Sequence, residues 1–196
     1  MIASSKRIAV FLDRDGTLNH DSGYVRTPNA FSVFPESGPA VAQLNRAGLL
    51  VIVVTNQSGI ARGIISHEDL SKIHEKLRLE MKRHGASIDD IFVCPHHPND
   101  GCRCRKPQTG MLEEAARRFD VDLTRSYMVG DKDLDVQLAN RVGAKGILVL
   151  SGPVNREAIA ANMSGTVKAQ VVAKGIREAV DWILRDVAAS AVQPVE

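Results

Sequence analysis

The stretch Ile8-Ala9-Val10-Phe11-Leu12-Asp13-Arg14-Asp15-Gly16-Thr17-Leu18 decides how the rest of the chain is read. The apolar run Ile8 to Leu12 reads as a buried strand, and two aspartates follow at once. In an extended backbone residues i and i+2 project to the same side. Asp13 and Asp15 are therefore expected to present two carboxylates to one spot at the strand's end. Gly16 lets the chain turn there without a side-chain penalty. Two carboxylates so placed can hold a divalent cation, and one can attack while the other moves protons.

Outward from that stretch, short β-branched runs alternate with helical patterns. Strands are expected at Ile8–Leu12, Leu49–Val54, Ile91–Val93, Tyr127–Val129, Ile147–Leu150 and Val171–Ala173. Helices are expected near Gly38–Ala47, His67–His84, Gly110–Phe119, Leu134–Val142, Arg156–Asn162 and Ile176–Val187. Ser66 with Asp69 reads as a capping arrangement for the second helix, and Gly143 as the stop of the fourth. Such alternation predicts an α/β fold with a doubly wound, mostly parallel sheet. One domain over residues 1–187 is expected, with 188–196 as a flexible, small-residue tail.

The 196 residues suffice for one full core, and 44% apolar with 24% charged residues is ordinary for a soluble domain. A net charge of +2 is too small to imply attraction to nucleic acid or membrane. Met1 to Arg7 lacks the apolar core of a signal peptide, and no apolar run approaches a bilayer span. A cytoplasmic monomer is expected.

In open α/β sheets ligands bind beyond the carboxyl ends of the strands. After the second strand comes Thr55-Asn56-Gln57-Ser58-Gly59, where a hydroxyl and backbone N–H groups can cradle phosphate oxygens, or simply form a polar turn. After the fourth comes Gly130-Asp131-Lys132-Asp133-Leu134-Asp135. Asp131 and Asp135 share a helix face, yet acidic residues also suit a helix N-terminus without any ligand. Lys106, in Arg105-Lys106-Pro107, can neutralise a transferring phosphoryl group or be a solvated surface lysine.

Together, Asp-x-Asp-Gly-Thr, the strand-end threonine, Lys-Pro and Gly-Asp-x-x-x-Asp resemble, in order and spacing, the haloacid dehalogenase-like (HAD) phosphohydrolases over Ile8 to about Leu150. The resemblance implies that Asp13 is the nucleophile, forming an aspartyl-phosphate, and that Asp15 protonates the leaving oxygen and then activates water. It implies Mg²⁺ held by Asp13, the Asp15 carbonyl and Asp131, with Asp135 supporting. Thr55 and Lys106 would hold the phosphoryl oxygens. Phosphoryl transfer is mostly positioning plus charge neutralisation, which suits this set. A mutase could use the same aspartate pair.

The segment 94–104 carries all three cysteines. Cys94, Cys102 and Cys104 with His96 or His97 supply three thiolates and an imidazole, a tetrahedral structural zinc set; three reduced thiols are the plainer alternative. The family pattern favours His96. Cys104 directly precedes Arg105 and Lys106, so a bound Zn²⁺ would fix the loop presenting both cations.

Phe11–Thr17, Val53–Gly63, Cys94–Pro98, Cys102–Pro107 and Met128–Lys132 closely resemble the D-glycero-D-manno-heptose-1,7-bisphosphate 7-phosphatases of nucleotide-activated heptose (lipopolysaccharide core) synthesis. That family lacks a large cap domain. The resemblance implies that Asp21, Ser22, Gly23 and Tyr24 form one substrate loop and Thr55, Asn56, Gln57 and Ser58 another. Arg105 and Lys132 would meet the distal part of a phosphorylated sugar. The segment between His96 and Cys102 is shorter than in some members, which leaves anomer preference open. Histidinol-phosphate phosphatases share the nucleophile, zinc loop and fold, but their cationic substrate would be repelled by Arg105 and Lys132. A nucleic-acid phosphatase would want aromatic stacking platforms, and this chain has one Trp and two Tyr.

Overall fold

The computed structural model describes residues 6–152 and 167–192. Its strands are β1 (Ala9–Leu12), β2 (Leu50–Asn56), β3 (Asp90–Cys94), β4 (Tyr127–Gly130), β5 (Lys145–Val149) and β6 (Val171–Ala173). They form one sheet in the order β3-β2-β1-β4-β5-β6, with every neighbouring pair parallel. Helices α1 (Ser37–Arg46), α2 (His67–Arg83), α3 (Gly110–Phe119) and α4 (Asp133–Val142) lie between successive strands, and α5 (Ile176–Val192) follows β6.

The apolar runs of β1 and β2 are continuous because helices cover both faces of the sheet. Val10, Leu12, Val51 and Val53 face α1, α2 and α5. Ala9, Phe11, Leu50, Ile52 and Val54, one residue out of phase, face α3 and α4. Right-handed crossovers place helices on opposite faces once the strand order reverses direction. Here it reverses at β1, whose neighbours are β2 and β4. That point is where an open α/β sheet leaves a crevice at the strands' carboxyl ends. Asp13 leaves β1 there and Asp131 leaves β4 beside it.

The caps form as expected. Ser66 Oγ accepts from Asp69 N at 2.9 Å, and Gly143 takes the left-handed φ of 74° that ends α4. Two bounds differ from expectation in informative ways. Strand β2 continues past Val54 because β3 pairs with it through Thr55↔Val93 and Asn56↔Cys94, so Thr55 and Asn56 are strand residues rather than the start of a turn. Helix α5 continues past Val187 to Val192, because Ala188 and Ala189 are good helix formers. The expected tail is therefore helical at its start, and residues 193–196 lie outside the described residues, as does the helix expected at Arg156–Asn162. Among the described residues no cap domain interrupts the sheet; loops 13–36, 57–66 and 95–109 border the crevice. No described helix is long and apolar enough to cross a membrane.

Candidate active site

Beyond Leu12 the chain is held to β4 by Asp13 N donating to the Val129 carbonyl (2.9 Å), then turns. The Arg14 carbonyl accepts from Leu18 N (2.9 Å) and Asn19 N (3.2 Å), and Gly16 N donates to the Asn19 carbonyl (2.8 Å). Asp13 and Asp15 do open onto one cavity of about 130 Å³, with Thr55, Asn56, Arg105, Lys106, Lys132, Leu134 and Asp135. They meet there through this tight turn, however, and not through strand alternation, since β1 ends before either of them. Gly16 has φ 81°, and a Cβ at this position would run into the Asp131 carboxylate.

Lys106 is the hub. Its Nζ lies 2.8 Å from Asp13 Oδ1 and 2.7 Å from Asp135 Oδ1, and donates to the Val54 carbonyl at 3.1 Å. Burial alone would depress its pKa, but the Asp13 and Asp135 charges outweigh it and hold the lysine above its ordinary value. Burial pushes Asp13 up to about 6, with the Asp135 charge adding to the rise and Lys106 opposing it. Asn56 clamps the Lys106 main chain from both sides: its Oδ1 accepts from Lys106 N (3.0 Å) and its Nδ2 donates to Lys106 O (3.3 Å). Asn56, expected to contact substrate, also lines the cavity.

Asp131 is 4% exposed, and neither carboxylate oxygen has a hydrogen-bond partner among the described residues. Burial and the Asp13 charge push its pKa up to about 7. A Cβ on either Gly16 or Gly152 would collide with this carboxylate, so two glycines leave the room it occupies. Oxygens of Asp13, Asp131 and Asp135 lie within 4.8 Å of one another. Three carboxylates this close, with both Asp131 oxygens unpartnered among the described residues, fit a hard divalent cation. Asp135 is the least free of the three, since Lys106 neutralises one oxygen and Lys132 N donates to the other (3.2 Å).

Asp15 is gripped differently. Arg14 donates to it from Nε (3.1 Å to Oδ1) and from Nη2 (2.9 Å to Oδ1, 2.7 Å to Oδ2). Asn19 Nδ2 donates at 2.9 Å, and Gln57 Nε2 at 2.8 Å. Burial favours the neutral acid, but the Arg14 charge and these donors overcome it and hold Asp15 below the usual carboxylate range. The two aspartates are thus pushed in opposite directions, Asp13 toward the neutral acid and Asp15 toward the carboxylate.

At the end of β3, Cys94 Sγ lies 3.6 Å from both His96 Nδ1 and Cys102 Sγ. Cys104 Sγ lies 3.6 Å from Cys102 Sγ and 3.1 Å from His96 Nδ1. Tetrahedral zinc ligation spaces such atoms about 3.5–3.8 Å apart. The other candidate, His97, turns away: its Nδ1 accepts from Asn99 N (3.3 Å), capping a short turn.

The remaining residues divide. Arg105 lines the cavity, and its buried Nη1 has no partner among the described residues. Lys132 Nζ reaches Asp21 Oδ2 at 3.2 Å, bringing the 21–24 loop to the rim. Tyr24, 41% exposed, stands over Gly59. Ser22, Gly23, Tyr24 and Ser58 do not line the cavity beside Asp13. Gln57 links Thr55 Oγ1 (2.9 Å) to Asp15. Arg14, Asn19 and His74 went unassigned in the sequence. Arg14 is visible as an odd residue, a cation inside a buried motif, whereas nothing local marks Asn19 or His74.

The family model described as HAD-hydrolase-like matches residues 103–179. The chain is 44% identical over 144 residues to a D-glycero-beta-D-manno-heptose-1,7-bisphosphate 7-phosphatase of Bordetella bronchiseptica, covering 73% of this chain and 80% of that one. The protein of that name from Haemophilus ducreyi is 39% identical over 183 residues, covering 89% and 97%. The crystal structure of D,D-heptose 1,7-bisphosphate phosphatase from B. bronchiseptica, complexed with magnesium and phosphate, superposes with a TM-score of 0.84 at 38% identity, covering 91% of this chain and 99% of that one. The chain belongs to the D-glycero-beta-D-manno-heptose-1,7-bisphosphate 7-phosphatase family of HAD-type hydrolases.

Proposed function

We propose that this protein hydrolyses the C7 phosphate of D-glycero-D-manno-heptose 1,7-bisphosphate to heptose 1-phosphate, as a cytoplasmic enzyme of nucleotide-activated heptose synthesis. The observation that supports the substrate is a spare cation beside the first anion site: among the described residues Arg105 keeps a buried, unpartnered nitrogen in the cavity of Asp13 and Lys106, and Lys132, paired with Asp21, lines the same cavity. A bisphosphate supplies an anion to each, whereas the ammonium of histidinol phosphate would meet like charge.

Asp13 attacks the phosphorus as a carboxylate and the bond to the sugar oxygen breaks; Asp15, a carboxylate at rest under Arg14, must first take up a proton, which it then gives to that oxygen. The aspartyl-phosphate is then opened by water that Asp15 deprotonates. Lys106 and the Thr55 hydroxyl hold the phosphoryl oxygens, with Asp135 and Asn56 keeping Lys106 in place. Mg²⁺ would be held by Asp13, the Asp15 carbonyl and Asp131, with Asp135 in support, and would offset charge developing on the phosphoryl group. Zn²⁺ would be held by Cys94, His96, Cys102 and Cys104, a full set of four protein ligands that leaves no position for catalytic water.

Phosphate release from the α and β anomers of heptose 1,7-bisphosphate, histidinol phosphate and fructose 1,6-bisphosphate tests the substrate. A clear preference for the heptose bisphosphate is expected, and the relatives' names point to the β anomer. Preference for histidinol phosphate would overturn the reading.

The acidic cluster gives a separate test by thermal denaturation. Burial pushes Asp13 up to about 6 and Asp131 up to about 7, from an ordinary value of 3.8. Between those limits the native metal-free protein binds more protons than the unfolded chain, so its stability falls as pH rises. A cation at the cluster removes that penalty. The Tm gain from saturating Mg²⁺ is expected to be larger at pH 8 than at pH 5; a pH-independent gain would place Mg²⁺ elsewhere.

A further inference from the structure

Asp15 is steered by a residue far from every motif. Arg14 is fully buried, and each edge of its guanidinium is engaged. Nε and Nη2 serve Asp15, while Nη1 meets His74 Nε2, on α2, at 3.2 Å; the guanidinium carbon also lies 5.8 Å from the Phe31 ring centroid. Arginine has no acceptor, so His74 Nε2 must accept, with the imidazole neutral and its proton on Nδ1. Burial and the Arg14 charge agree with this by depressing His74 to about 4.

A guanidinium can rotate about its bonds and slide along a carboxylate. The second anchor at Nη1 removes that freedom and leaves one orientation of the fork. Asn19 and Gln57 then fix the Asp15 oxygens from the other sides. We propose that His74 is a positioning residue for the acid step: it holds Arg14, and through Arg14 it aims the Asp15 carboxyl at the departing sugar oxygen. The inference rests on Asp15 as the proton donor when the Asp13–phosphorus bond forms and the phosphorus–sugar oxygen bond breaks.

The test separates positioning from folding through the leaving group. Rapid-quench rates of phosphoenzyme formation are compared for heptose 1,7-bisphosphate, whose alkoxide needs a proton, and p-nitrophenyl phosphate, whose phenolate leaves without one. His74→Phe keeps ring bulk but has no acceptor. It is expected to slow the sugar substrate by about 10- to 100-fold and the aryl substrate by less than about threefold, since general acid catalysis is typically worth about 10²–10⁴. His74→Gln places a carbonyl oxygen near the Nε2 position and is expected to restore both rates to within about threefold. Should His74→Phe not fold, His74→Asn, whose acceptor is drawn back toward α2, is expected to show the same bias. Equal slowing of both substrates, no slowing, or a glutamine variant no better than the others would overturn the proposal. Asp15→Asn is the reference. If it shows no leaving-group bias, the acid role of Asp15 fails first; if it does and His74 variants do not, only the role of His74 falls.

Discussion

Replacing Asp13 with asparagine is expected to lower turnover by about 10⁵-fold or more, because loss of the proposed nucleophile removes the covalent route and not one contact within it. The amide is close to isosteric but has no anionic oxygen to attack phosphorus. The loss should not come from unfolding. Asp13 is a buried carboxylate whose ionised form the fold disfavours, pushed up to about 6 by burial and the Asp135 charge. Asparagine removes that burden, and Lys106 keeps Asp135 as its partner at 2.7 Å. The Tm of Asp13→Asn at pH 8 is therefore expected to equal or exceed that of the parent while activity vanishes. Retained turnover without a trappable phosphoenzyme would rule out the covalent route.

Removal of the Zn²⁺ proposed for the Cys94, His96, Cys102 and Cys104 cluster is the second large expected effect. The loop from Pro95 to Arg105 contains one short turn and little buried apolar surface, and the one fully buried residue of the proposed ligand set, Cys94, lies before it at the end of β3. Structural zinc sites contribute about 10–16 kcal/mol of binding energy to folding, so such a loop has no comparable substitute. Cys102 and Cys104 pack against the cluster under α3, and Cys104 leads directly into Arg105 and Lys106. Cys104→Ser, or chelation verified by metal analysis, is expected to lower Tm by at least about 10 °C, as a loss of several kcal/mol does in a domain of this size. KM should rise more than kcat falls, because Arg105 loses its anchor while Asn56 still clamps Lys106. Unchanged Tm and KM after complete metal removal would show that the thiols pack without a metal.

Legibility in the sequence tracked the range of the interactions concerned. Strand and helix positions in β1, β4, α3 and α4 were readable because alternation of apolar runs and caps is local. The extension of β2 through Asn56 was not, since it depends on pairing with β3, almost forty residues on. Likewise Asp13, Asp131, Lys106 and Thr55 announce themselves by short motifs, whereas spacing alone leaves His96 and His97 as rivals; the family resemblance favours His96, and the imidazole that lies near Cys104 is that of His96.

By itself the sequence determined the class of chemistry. Carboxylates and a threonine stand at the ends of hydrophobic runs that must become parallel strands, parallel strands must deliver their ends to one edge, and a Lys-Pro pair precedes a helix that starts from that edge. What only the tertiary structure decided is how those groups share charge. Lys106 lies between Asp13 and Asp135, the Asp131 carboxylate has no hydrogen-bond partner among the described residues, and Asp15 is gripped by Arg14, which also meets His74. Such assignments depend on distances of about 3 Å between residues tens of positions apart, and on burial that sharpens every charge. Neither quantity is written in the local pattern of a chain.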